Sequence, residues 1–213
     1  MRVRFLGLFW GIVVTEAAKI SIEDAALVER YKAGDSTAME RLILRYQQRI
    51  YNAVYRMCAN PDDAAELTQD TFVKVIENID GFGGRSSFYT WLFRIAMNLT
   101  INHCKRKARI DFGSFDAEQF RPGGEGVSAL KEILCDGRAV GPGEAAENTE
   151  LCRLVLRELG RMDEMHRAVL VLRDIEGMDY AQIAAVLDVE VGTVKSRLSR
   201  ARNTLRRMLE SHI

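Results

Sequence analysis

Apolar residues recur at three- and four-residue spacing through most of the chain, and no stretch shows the strict alternation of a half-buried strand. Met39, Leu42, Tyr46, Ile50, Ala53 and Met57 predict one face of a long helix, set off by a break at Gly34 and a cap at Asp35. Before it, Ser21 is placed to cap a shorter helix carrying Ile22, Ala25, Ala26 and Val28. Asn60–Pro61 reads as a cap followed by proline at the first helical position. Ala64, Leu67, Thr71, Phe72, Val75 and Ile79 then share one side of a third helix. After a loop at 81–85, Ser86 or Ser87 starts a fourth helix that runs to about Lys107.

The pattern lapses between 109 and 143. Pro122, Gly123, Gly124, Gly126, Gly137, Gly141, Pro142 and Gly143 punctuate an acidic stretch that reads as a flexible linker, with one short helical piece near 130–134. Helical spacing resumes around 145–160 and again from Asp163 to Ile175. The expectation is an all-α protein of two small helical domains, 21–108 and 144–213, joined by the linker 109–143 and preceded by an extension at 1–20.

The second domain ends in two helices around a tight turn, a helix-turn-helix at 179–198. Ile183, Ala184, Val186 and Leu187 form the first, Asp188–Val189 turns the chain, and the second opens near Gly192–Thr193. At about 100° per residue, Val194, Leu198, Ala201 and Leu205 point inward. Lys195, Ser196, Ser199, Arg200 and Asn203 point outward, while Arg197, Arg202, Arg206 and Arg207 lie along the flanks and far end. A basic second helix behind a short turn is the layout of a major-groove reader. Lys, Arg, Ser and Asn can reach base edges, and flanking arginines meet phosphates. The plain alternative is a solvated basic helix packed on a small bundle.

Charge changes the picture only through its distribution. Lys plus Arg and Asp plus Glu each total 30 of 213 residues, yet 61–80 is acidic, 105–109 basic, 111–150 mostly acidic and 195–207 strongly basic. Separate surfaces for separate partners follow. Cys58, Cys104, Cys135 and Cys152 make no CxxC, and His103, His166 and His212 are scattered, so neither a zinc site nor a disulfide framework is expected, nor any cofactor. Reduced thiols fit a cytoplasmic protein. The start, MRVRFLGLFWGIVV, has the outline of a signal peptide but is too short to span a bilayer. Glu16 and Lys19 stand where small neutral residues should precede cleavage. We read it as an extension upstream of a true start near Val13 or Val14, the alternative being a weak membrane-surface contact.

The fourth helix carries more than a core stripe. Phe88, Trp91, Leu92, Ile95 and Leu99 form one apolar face, and Phe93, Met97 and Ile101 lie opposite, beside Tyr89, Thr90, Arg94 and Asn98. Such a helix is buried twice over or shows a sticky surface to a partner. Lys105, Arg106, Lys107 and Arg109 close it. Aromatics followed by cations beside a glycine-rich loop suit single-stranded nucleic acid, where rings stack on bases and cations track phosphates.

The string LTQDTFVKVIENIDGFGGRSSFYTWLFRIAMNLTINHCKRKAR closely resembles the second conserved region of bacterial sigma factors of the sigma-70 family, specifically the extracytoplasmic-function (ECF) class. DEMHRAVLVLRDIEGMDYAQIAAVLDVEVGTVKSRLSRAR resembles their fourth region, and the two stand in family order. The resemblance implies a non-enzymatic protein that directs core RNA polymerase to promoter DNA, with an anti-sigma factor as a further partner. It places core binding on Asp63, Leu67, Gln69, Asp70, Phe72 and Val73. It places capture of the melted minus-ten element around Phe82, Arg85, Ser86, Tyr89 and Thr90, with Arg94, Asn98, Lys105 and Arg106 nearby. Lys195, Ser196, Ser199 and Arg200 match positions facing the minus-thirty-five duplex, and Arg197 matches a backbone-positioning arginine. Lys195 lacks the bidentate fork that many relatives set against guanine there. Two rivals are weighed beside this. A helix-turn-helix regulator of the two-component type, outside the polymerase, would need a receiver domain with a parallel sheet. A metal-dependent nuclease built on Asp62, Asp63, Glu66 and Asp70 would need ligands from a second segment.

Overall fold

The computed structural model describes residues 22–113, 153–210 and 212, the side chains of 110–113 excepted. The expected extension at 1–20, the capping role of Ser21, the short helical piece near 130–134, Cys135 and Cys152 lie outside the described residues. All regular structure among the described residues is helical, and none of these helices is long and apolar enough to cross a membrane.

The first bundle is built from four helices. Helix α1 (22–32) ends at Gly34, whose φ of 98° suits a residue without a Cβ. Asp35 caps α2 (Ser36–Cys58) by accepting a hydrogen bond from the Thr37 amide at 3.1 Å. Asn60 caps α3 (Pro61–Asn78), accepting from the amides of both Asp62 and Asp63 at 2.9 Å. Ser87, rather than Ser86, opens α4 (Phe88–Gly113), its hydroxyl accepting from the Thr90 amide at 3.1 Å. Helix α4 continues past the expected end at Lys107 to Gly113.

The stripes read from periodicity are the buried ones in α2 and α3: Met39, Leu42, Tyr46, Ile50, Ala53 and Met57, then Ala64, Leu67, Thr71, Phe72, Val75 and Ile79. Helix α1 differs. Leu27, Val28 and Asp24 turn inward, whereas Ile22, Ala25 and Ala26 are exposed. Asp24 is the reason: its carboxylate receives the Tyr46 hydroxyl and the Arg45 guanidinium, which fixes the rotation of the helix. A short helix with few apolar residues is oriented by its one buried charge pair.

The second bundle comprises α5 (153–160), α6 (Glu164–Leu170), α7 (Tyr180–Leu187) and α8 (Val191–Glu210). Asp163 caps α6 through the amides of Met165 and His166. The single helix expected from Asp163 to Ile175 is interrupted. Val171–Ile175 widens into a π turn, closed by the Glu176 amide on the Val171 carbonyl at 2.9 Å. Gly177, at φ 70°, then redirects the chain into α7.

The two bundles pack against each other, and the expected linker between them lies, from residue 114 on, outside the described residues. Helix α4 packs on α2 and α3 of its own bundle and also on α7 of the other, while α2 meets α6 and the π turn. One apolar cluster runs through both. This settles the two readings of α4 offered by its sequence. Phe93 and Met97 are fully buried and Ile101 nearly so, while Trp91, Ile95 and Leu99, assigned to the core, are only half-buried. The helix is buried on two sides, as an apolar-all-round helix must be if it is not to aggregate.

Phe93→Ala should therefore cost about 3–5 kcal/mol of unfolding free energy, the range for emptying a core aromatic site. Urea denaturation measures it; a loss below about 0.5 kcal/mol, typical of a surface position, would contradict this packing.

Candidate nucleic-acid interface

The recognition unit begins at Asp179, whose carboxylate accepts from the Gln182 amide at 2.8 Å while the Gln182 side chain accepts from the Asp179 amide at 2.9 Å. This reciprocal cap fixes the first turn of α7. Asp188 ends the helix in the left-handed region at φ 54°, so an aspartate does here what glycine usually does. Helix α8 opens at Val191, earlier than expected, with the Thr193 and Val194 amides both donating to the Glu190 carbonyl. Val194, Leu198 and Ala201 are buried and Leu205 packs at the edge.

Lys195, Ser196, Ser199, Arg200 and Asn203 form a continuous exposed face, as their spacing predicted. Ser196 Oγ donates to the Thr193 carbonyl at 3.0 Å and holds its place on that face. Beneath Lys195, the Tyr180 ring carries two cations: Lys195 Nζ at 5.9 Å and the Arg173 guanidinium at 5.0 Å from its centroid. Two flanking arginines are committed elsewhere. Arg202 pairs with Asp174, and Arg197 is half-buried with Nη1 enclosed and lacking a hydrogen-bond partner. Arg206 and Arg207 stay exposed.

The aromatic helix presents its candidates unevenly. Arg85, Arg94, Asn98, Lys105 and Arg106 are exposed, and Ser86 is half-buried. Phe82 is buried, its ring 5.1 Å from Trp91 and edge-on to Phe88 at 6.1 Å, and its carbonyl receives Lys32 Nζ at 2.7 Å. Thr90 is buried with its hydroxyl on Ser87 at 2.9 Å. In this arrangement Phe82 and Thr90 shape the loop from inside instead of displaying themselves to a base. The Tyr89 ring packs tilted against Phe93, 4.6 Å between centroids, and turns its hydroxyl to Glu176 of the second bundle at 3.3 Å. Burial, reinforced by that carboxylate, raises the Tyr89 phenol well above its ordinary pKa.

On α3, Gln69, Asp70 and Val73 are exposed, and Leu67 and Phe72 are core. Ile76 is exposed next to Val73, a pairing that periodicity could have flagged because both apolar residues fall off the buried stripe. Asp63 is tied to Lys107 at 2.9 Å and lies 3.2 Å from His103, both on α4. Burial opposes ionisation there, but the hydrogen bond from Lys107 and the nearness of His103 win and hold the Asp63 carboxyl below its ordinary pKa. Among the described residues no cluster of His, Cys, Asp or Glu could hold a metal, so the four carboxylates of α3 do not assemble the site a nuclease would need. Burial pushes the Cys58 thiol up to about 12 and raises Cys104 as well, which keeps both neutral at physiological pH.

Sequence reasoning missed Arg49, Arg56, Arg167 and Glu176. Arg49 Nε donates to Glu176 Oε2 at 2.7 Å, and Arg56 Nη1 lies 3.6 Å from Oε1. Arg167 bridges the bundles by donating to the Met57 carbonyl, with Nη2 on Gly160 O at 2.7 Å and Met162 O at 2.8 Å. The only available signal was position: Arg49 and Arg56 stand seven apart on α2, flanking its apolar stripe.

Comparison with known proteins agrees with both halves. Residues 42–110 match the family described as Sigma-70 region 2, and residues 152–205 match Sigma-70, region 4. The chain is 36% identical over 188 residues to the ECF RNA polymerase sigma-E factor of Escherichia coli (strain K12), covering 86% of this chain and 93% of that one. It is 36% identical over 192 residues to the RNA polymerase sigma-H factor of Pseudomonas aeruginosa, covering 88% and 94%. Among solved structures, CnrH in complex with the cytosolic domain of CnrY superposes with a TM-score of 0.62 at 26% identity, over 89% of this chain and 98% of that one. The sigma factor RpoE from Bartonella quintana, solved with the anti-sigma factor NepR, shares the fold with a TM-score of 0.59 at 22% identity, over 80% and 96%.

Asp63 supplies a pH test of the α3–α4 contact. Its folded pKa lies below the unfolded value of about 3.9, so its contribution is present above that value and is lost as pH falls through the folded pKa. Asp63→Asn should flatten the acid limb of stability against pH in urea titrations; an acid limb identical to that of the parent would refute the contact.

Proposed function

The chain belongs to the sigma-70 family as a factor of the ECF class, and from that premise we propose that it directs core RNA polymerase to specific promoters by holding two promoter elements with two different surfaces. Sigma factors are not enzymes; they are specificity subunits for transcription initiation. The reading therefore needs no catalytic residue, and it sets the work of the chain in the cytoplasm, beside core polymerase.

What carries the proposal is the exposed face of α8. Lys195, Ser196, Ser199 and Arg200 stand together, solvated, on a helix whose opposite side is locked into the core. Placed in a major groove, that face offers cations and hydroxyls to base edges, and Arg206 and Arg207 lie beyond it for phosphates. Arg197, half-buried, serves orientation more than readout. The minus-ten element falls to α4 and the loop before it, where Arg85, Ser86, Arg94, Asn98, Lys105 and Arg106 line the approach and Tyr89 is the ring closest to the surface. Core polymerase docks on α3, through Gln69, Asp70 and Val73, with Ile76 widening the apolar part of the surface. Leu67, Phe72 and Asp63 support that surface from behind. An anti-sigma factor is a further partner of this reading.

Runoff transcription with purified core polymerase tests it, and absence of stimulation on every promoter of the source genome would favour a regulator acting outside the polymerase. The double variant Lys195→Ala, Arg200→Ala should lower initiation at least about thirtyfold, given about 1–3 kcal/mol for each of the two lost base contacts, with core binding unchanged. Equal loss of core binding would contradict this division of labour.

A further inference from the structure

Glu176, like Arg167, reaches from the second bundle deep into the first. Its side chain is 4% exposed, and every partner of its carboxylate comes from the other bundle: Arg49 and Arg56 on α2, and the Tyr89 hydroxyl on α4. Arg49 adds a hydrogen bond from Nη2 to the Glu176 carbonyl at 3.1 Å and lays its guanidinium 4.7 Å over the Tyr89 ring. The backbone is shaped to deliver this side chain. The π turn Val171–Ile175 ends on Glu176, and Gly177, in the left-handed region, carries the chain away at once. A π turn within an otherwise regular helix costs hydrogen-bond geometry, and here it sets a carboxylate where two guanidiniums converge.

The same closure withdraws a working surface. Tyr89, half-buried at the outer end of an apolar line that continues through the buried Phe93 and Met97, is held by Glu176 and Arg49. Five residues on, Arg94 faces Asp188 at 3.7 Å. The recognition face of α8 is left open. The closed molecule can thus present duplex-reading residues while the Tyr89 part of its single-strand surface is covered and the cations around it stay exposed.

We propose that Glu176 is an interdomain latch that holds the free chain closed and keeps the Tyr89 face of α4 from single-stranded DNA until the bundles part. The masking half rests on the promoter reading given above; the latch itself rests on the geometry alone. Opening exchanges the buried ion pairs for water. The closed state persists only while carboxylate and guanidiniums are met together, because a buried charge left without its partner is strongly unfavourable. Any partner that separates Glu176 from Arg49 and Arg56 releases both.

The test uses the full chain and two variants, Glu176→Gln and Arg49→Ala. Arg49 is half exposed, so its removal spares the core of the first bundle. Circular dichroism establishes that each variant retains the parent helix content. Small-angle scattering should then show a larger radius of gyration in both, and hydrogen exchange should show amides of 89–101 and 180–187 exchanging at least about tenfold faster, the scale set by losing a buried charge partner. Both variants should also bind a random-sequence single-stranded oligonucleotide about tenfold more tightly than the parent, without core polymerase. A parent already extended in scattering, or an Arg49→Ala protein as compact and protected as the parent, overturns the latch. Opening without a gain in oligonucleotide binding overturns the masking. Failure of the promoter reading is seen separately, as absence of runoff transcription by the parent.

Discussion

A carboxylate taken out of water has to be met by positive charge, and the arrangement of this protein turns on how that demand is met at Glu176. Two arginines from α2 and a tyrosine from α4 converge on it, so the second bundle is positioned by the first. Arg167 adds a second tie of different chemistry, a guanidinium that caps backbone carbonyls of both bundles. Burial lowers the pKa of both Arg56 and Arg167, yet a guanidinium starts so far above physiological pH that both have wide room before they lose charge. Arginine is therefore the side chain that can serve at such an interface; a lysine in the same surroundings would shift towards neutrality.

Helix α4 is where packing and function compete for the same residues. Its aromatics build the first bundle through Phe88 and Trp91, packed with Phe82 of the preceding loop, and they meet the second bundle through Tyr89 and Phe93. A surface that is to stack on unpaired bases must be apolar, and an apolar surface left in water invites aggregation. Covering it with the protein's own second bundle resolves the conflict. The contact that covers it combines charged partners with apolar packing.

The recognition helix is subject to no such conflict. Its inward face is small and aliphatic, its outward face cationic and hydroxylic, and the two never exchange roles. Its geometry is supported from α7 by the reciprocal Asp179–Gln182 cap and by the Tyr180 ring beneath Lys195. Local rules fix both supports, which is why the face read from spacing reappears intact. The same rules failed on α1, where Ile22 and the two alanines looked like a core face. There a buried Asp24 and its partners on α2, 21 and 22 residues away, set the rotation instead.

The helices of the first bundle, the caps at Asp35 and Asn60 and the buried stripes of α2, α3 and α8 follow from the sequence alone. It also marked the cationic and aromatic residues that point to promoter DNA. These are properties of neighbours three and four positions apart, where the geometry of a helix leaves little choice. The tertiary structure alone decided that the two bundles close on each other, that α4 is covered on its second side, and that Phe82 and Thr90 face inward. It also decided that a glutamate in an unremarked I-E-G turn meets arginines 127 and 120 residues earlier in the chain. Pairing at that separation leaves no periodic trace. It depends on where a π turn aims one side chain after the helices have packed, and only the packed molecule can show that.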